Sequence, residues 1–97
     1  MNHIDSFSQY LLDEKKYSRL TVNAYQQDLN QFADFLADEF DKLSEDEVHY
    51  GVIRKWIASL NAANQKVTTI NRKISSLNGY FNFLIEIGNL DKNPLED

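Results

Sequence analysis

Residues Ser18 to Asp38 read SRLTVNAYQQDLNQFADFLAD, and the spacing of their apolar side chains defines one long amphipathic helix. Tyr25, Leu29, Phe32 and Leu36 recur at i, i+4, i+7 and i+11, with Val22 and Ala33 at the edge of the same stripe. That is the 3.6-residue period of a single buried helix face. Asn23, Gln27, Asn30 and Asp34 then fall on the opposite side. Ser18 suits the N-cap, because its hydroxyl can accept an otherwise unpaired backbone N–H of the first turn.

Three further helices follow from the same period. Ile4, Phe7 and Leu11, with Tyr10 and Leu12 alongside, predict a first helix from about Ile4 to Lys16, ended at Tyr17-Ser18. The acidic run Ser44-Glu45-Asp46-Glu47 suits a helix start, since acids near an N-terminus complement the helix dipole. The third helix is expected to run from there to about Leu60, with Ile53, Trp56, Ile57 and Leu60 facing the core. Thr68 or Thr69 is the expected cap of a fourth helix to Ile87, with Gly88 as its stop. Its buried stripe is Ile70, Ile74, Leu77, Phe81 and Leu84; Thr68, Arg72, Ser75, Ser76 and Gly79 point away. Tyr80, Phe83 and Ile87 make a second apolar patch, either core near the bundle end or a docking surface. No alternating strand pattern competes, so the fold class is all-α, a four-helix bundle.

Composition supports one folded domain. The chain has 97 residues, 42% of them apolar and 26% charged, with three Gly and one Pro; a domain this size buries roughly 60–65% of its unfolded surface. Residues 1–88 form the expected domain and 89–97 a tail or linker, because Pro94 blocks helix continuation. The absence of cysteine excludes disulfides and Cys-based zinc sites. No apolar run reaches membrane-spanning length, so no membrane partner is expected and the localisation is expected to be cytoplasmic.

The chemistry of catalysis is missing from the pattern. His3 and His49 stand in no metal-ligand spacing, and the acid pairs Asp13-Glu14 and Asp38-Glu39 lie where exposed surface is expected. Five tyrosines occur without the cluster of bases and cations that would activate a phenol. The expectation is no catalytic residue, no metal, no cofactor and no enzyme activity in this stretch, with the isolated domain a monomer.

The charge distribution says more than the net value of −5. Eight acids lie between Asp28 and Glu47 against one base, Lys42, whereas Val48 to Ile85 contains no acid and five cations, Arg54, Lys55, Lys66, Arg72 and Lys73. Nucleic acid requires phosphate-neutralising Lys and Arg on a face that lets the duplex approach. The fourth helix offers Thr68, Thr69, Arg72, Lys73, Ser75, Ser76, Asn78 and Gly79, and the second begins with Ser18, Arg19, Thr21, Asn23, Gln26 and Gln27 before its first acid, Asp28. Two plainer readings stay open on sequence physics alone: the small residues can admit a neighbouring helix, and the cations can be a solvated face.

The stretch S18-x-x-T21-x-x-x-Y25-x-x-D28-L29-x-x-F32 resembles the signature of the N-terminal core-binding domain of phage integrases and Xer-type tyrosine recombinases. Thr69 to Leu77, continuing through Phe81, Phe83 and Leu84 to Gly88 and Asn93-Pro94, is similar to that domain's last long helix and its exit toward the catalytic domain. The resemblance implies a SAM-like bundle of two crossed helical hairpins, whose second and fourth helices lie against the major groove of double-stranded DNA. By motif position it implies contacts at Thr21, Asn23, Gln27, Thr68, Thr69, Arg72 and Ser76, to which charge adds Arg19 and Lys73. It further implies that other recombinase protomers are partners of the full-length protein and that cleavage belongs to a separate C-terminal domain. Asn78, Asn82 and Glu86 stand where many members of the family carry Arg, which implies weak binding by the domain alone. The alternative is an acidic helical protein-interaction module that uses the Tyr80, Phe83 and Ile87 patch.

Overall fold

The computed structural model describes residues 1–41 and 43–96. Lys42, the one base of the acidic run, and Asp97, the end of the expected tail, lie outside the described residues. Helices α1 (Ile4–Asp13), α2 (Arg19–Phe40), α3 (Tyr50–Ala62) and α4 (Val67–Glu86) are accompanied by short 3-10 turns at Glu45–Glu47, between α2 and α3, and Pro94–Glu96, after α4. Among the described residues there is no strand, and the fold is an all-α helical bundle. α1 packs on α2 and α3 on α4, and α4 also lies against α2 and α1.

Local chemistry sets the helix limits. Ser18 caps α2: its Oγ accepts the Thr21 N–H at 3.2 Å and donates to Thr21 Oγ1 at 3.0 Å. Ser44 anchors a separate turn, not the start of α3. Its N–H and its hydroxyl both donate to the Glu47 carboxylate, the Glu47 N–H returns to the Ser44 carbonyl at 3.0 Å, and the closed 3-10 turn ends two residues before α3 begins. The N-cap of α4 is Lys66, two positions before Thr68 and three before Thr69, and no side chain caps it. Gly88, at φ +83°, ends that helix, with the Asn89 N–H returning to the Leu84 carbonyl at 2.8 Å.

The core joins all four helices. Phe7 and Leu11 from α1, Val22, Leu29, Phe32 and Leu36 from α2, Ile53 and Trp56 from α3, and Leu77, Phe81 and Leu84 from α4 are buried together. Tyr80 and Phe83 belong to this core as well. The Phe7 ring meets Tyr80 edge-on at 5.6 Å and Phe83 at 5.5 Å, and Tyr10 covers Phe83 at 5.0 Å. α4 therefore has two buried faces, one toward α2 and α3 and one toward α1. Of the suspected docking patch only Ile87 stays exposed, which removes the surface on which the interaction-module alternative relied.

Residues 93–95 pack on the bundle. Asn93 is buried and donates from Nδ2 to Asn78 Oδ1 at 2.8 Å and Asn82 Oδ1 at 3.0 Å, while its own Oδ1 accepts the Leu95 N–H at 2.9 Å. Pro94 is buried, and the final turn lies against α3. The two asparagines at i and i+4 on α4 thus serve as the receptor for the returning chain.

Candidate nucleic-acid interface

At the α2–α4 contact, a buried carboxylate holds the side chains of α4 in place. Asp28 of α2 is fully enclosed, and its two oxygens accept four donors from α4. Arg72 approaches bidentately, Nη2 to Oδ1 at 2.6 Å and Nε to Oδ2 at 2.9 Å. Lys73 Nζ reaches Oδ1 at 3.1 Å, and Ser76 Oγ lies 2.8 Å from Oδ2. Lys73 also donates to Gln31 Oε1. A buried charge is tolerable only when paired and fully hydrogen-bonded, which this arrangement provides. Burial pushes the Asp28 carboxyl up, but the bonds from Arg72, Ser76 and Lys73 and the Lys73 charge outweigh it and leave the group below its ordinary value. Arg72, conversely, is raised by its bond to Asp28.

This network corrects part of the sequence reading. Lys73 is 3% exposed and Ser76 is 0% exposed, so neither lies on the outward face expected for it. Lys73 sits three residues after Ile70 and four before Leu77, inside the buried stripe, and Ser76 sits beside Leu77. Both side chains answer Asp28. Arg72 differs, because its side chain remains 41% exposed and Nη1 donates to no acceptor among the described residues. Arg19, Thr21, Asn23, Gln27 and Thr68 are exposed, and Thr69 is half-buried. Tyr25 is half-buried, meeting Tyr17 edge-on at 5.9 Å beside Arg72.

The outcome is a polar surface on either side of the Asp28–Arg72 tie. On α2 it carries Arg19, Thr21, Asn23 and Gln27; on α4 it carries Thr68, Asn71, Arg72, Ser75 and Asn78, all exposed. These α4 positions include no acid, and the uncapped first turn leaves backbone N–H groups free to meet an anion. The exposed acids of α2, Asp34, Asp38 and Glu39, lie toward its other end. Among the described residues no group of His, Asp and Glu could hold a metal, and no helix is long and apolar enough to cross a membrane.

Comparison with known proteins gives the arrangement a family. The sequence model of the phage integrase N-terminal SAM-like domain matches residues 4–88. The chain belongs to that family. Its SAM-like domain is 37% identical to the tyrosine recombinase XerC of Pediococcus pentosaceus, over 99% of this chain and 32% of that protein. It is 38% identical to the tyrosine recombinase XerD of Rickettsia prowazekii, over 98% of this chain and 30% of that protein. A tyrosine recombinase of Thermosipho africanus is 30% identical over 96% of this chain and 33% of its own length. The chain spans about a third of the length of these curated relatives. No solved structure matches it significantly.

Proposed function

We propose that this SAM-like domain is a DNA-binding element of a site-specific tyrosine recombinase, holding duplex DNA while strand cleavage and rejoining are carried out by residues outside the stretch described. The observation that carries the reading is the acid-free polar face of α4, tied to the middle of α2 by the Asp28–Arg72 pair. Short side chains let a polyanion approach, and the exposed cations Arg19 and Lys66 supply charge for its phosphates, with Arg72 presented between them. Thr21, Asn23, Gln27, Thr68 and Thr69 supply hydrogen-bonding groups beside them. Lys73 and Ser76 serve this face indirectly, by holding α4 against α2.

The reading includes partners beyond DNA. Tyrosine recombination joins two duplexes, so further recombinase protomers would assemble around this domain in the full-length protein. With few cations on this face and a net charge of −5, the domain contributes modest affinity and mostly orientation.

A fluorescence anisotropy titration of labelled duplex across a salt series tests the proposal. Neutralising two or three phosphates gives a slope of log affinity against log salt of roughly −2 to −3. Arg19→Glu should weaken binding several-fold without changing the melting temperature, because Arg19 is exposed and makes no ion pair among the described residues. Absence of binding at about 50 mM salt, where the electrostatic contribution is strong, would remove DNA as the partner.

A further inference from the structure

Asp28 does more than join two helices. Its carboxylate takes the Nε and Nη2 side of the Arg72 guanidinium at 2.9 and 2.6 Å, which fixes the plane of that group. The edge left over is the Nη1 and Nη2 end, on a side chain that is 41% exposed. Around it stand Thr68, Asn71 and Ser75, all exposed and short, so a flat acceptor can come close.

The same carboxylate decides which acceptor suits that edge. A phosphate drawn to Arg72 would meet the negative charge of Asp28 immediately behind the guanidinium, and the pairing already answers most of the arginine's charge. A neutral pair of acceptors suffers no such repulsion. In the major groove, guanine presents O6 and N7 at the spacing of an arginine fork. We infer that Asp28 is a positioning residue that sets Arg72 to read a guanine edge in the major groove, instead of serving as a general phosphate contact. The inference rests on the DNA-binding reading above.

Selection from a pool of duplexes randomised at every position, with the 97-residue chain at low salt, tests it. The expected result is enrichment of guanine at one position, roughly five- to a hundred-fold over the other bases, the range of a good bidentate contact. Arg72→Lys keeps the charge and an ion pair to Asp28 but loses the fork; it should retain the pool and lose the guanine enrichment. Asp28→Asn removes an acid, so total retention should hold or rise while the enrichment collapses. A purely structural role for Asp28 would instead lower retention of every duplex together and leave the guanine ratio unchanged. If Asp28→Asn fails to fold, Asp28→Glu, which keeps the charge but displaces the carboxylate, takes its place and should hold total retention while lowering the guanine enrichment; an unchanged enrichment overturns the positioning role. Retention of the pool without guanine preference, or a preference that survives in Arg72→Lys, overturns the inference and leaves DNA binding standing. Failure of the unmutated chain to retain any duplex overturns both.

Discussion

The Tyr80 hydroxyl, fully buried on α4, donates to the carboxylate of Glu45 in the turn that precedes α3. The same hydroxyl accepts the His3 N–H at 3.3 Å, and Glu45 accepts the Asn2 N–H at 3.1 Å. One phenol thereby ties the chain start, the acidic turn and the last helix together. Burial, then the Glu45 bond and charge, push its ionisation well above the ordinary tyrosine range. Stability from this group is full below the unfolded-chain value of about 10 and declines as pH rises beyond it. Tyr80→Phe is expected to lose about 1.5–3 kcal/mol in urea denaturation, the range for a bond to a charged acceptor, and to flatten the alkaline decline.

Asp28 governs the acid limb. Its carboxyl lies below the ordinary value in the fold, so its contribution is full above the unfolded-chain value of about 3.9 and vanishes as pH falls through the folded one. Asp28→Asn leaves Lys73 buried without its carboxylate. The loss at neutral pH should be about 3 kcal/mol, at the low end for a broken buried pair because Arg72 is partly exposed. Urea midpoints measured from pH 6 downward should fall for the unmutated chain below about pH 4 and change much less for the variant.

Gly79 sits where α4 passes α1. A Cβ there would stand 3.2 Å from Phe7 Cζ, and Phe7 is wedged between Tyr80 and Phe83 with little room to give. Helix propensity favours alanine over glycine by about 1 kcal/mol, yet the crowding of a closed core opposes it with 1–3 kcal/mol. Gly79→Ala is expected to lower stability by about 1 kcal/mol; a melting temperature above that of the unmutated chain would contradict this packing.

Asn93 secures the returning tail. Asn93→Ala removes the bonds to Asn78 and Asn82 and frees the Leu95 N–H. Amide exchange at Leu95 should accelerate more than ten-fold, which corresponds to about 1.4 kcal/mol of local opening, within the range for lost hydrogen bonds. Amides in the middle of α4 should keep their protection.

The helices were legible because α2 repeats its apolar period over four turns and Ser18 stands at its head. Of the stripe Tyr25, Leu29, Phe32 and Leu36, the last three are buried as the spacing requires, together with Val22 at its edge, while Tyr25 is half-buried. The Asp28 network was not read, although a signal was present: Asp28 falls three residues after Tyr25 and four before Phe32, inside the buried stripe, and Lys73 falls likewise between Ile70 and Leu77. An acid and a base at core positions of two helices are tolerable only if they meet. Which helices meet is non-local, and for the same reason the Tyr80 and Phe83 face could not be told from a docking patch before α1 was seen to cover it. Asn78 and Asn82, which in sequence stand only as missing phosphate contacts, take their role from Asn93, a partner eleven or more residues away.

The DNA-binding role is tested most directly by adding unlabelled duplex to the isotopically labelled chain at about 50 mM salt and following every amide and the Arg72 side-chain Nε–H by NMR. Resonances of Arg19, Thr21, Asn23, Gln27, Thr68, Thr69 and Arg72 should shift together and return as salt is raised, with those of Asp34, Asp38 and Glu39 unmoved. Shifts confined to the acidic end of α2, or none at any duplex concentration, would contradict it.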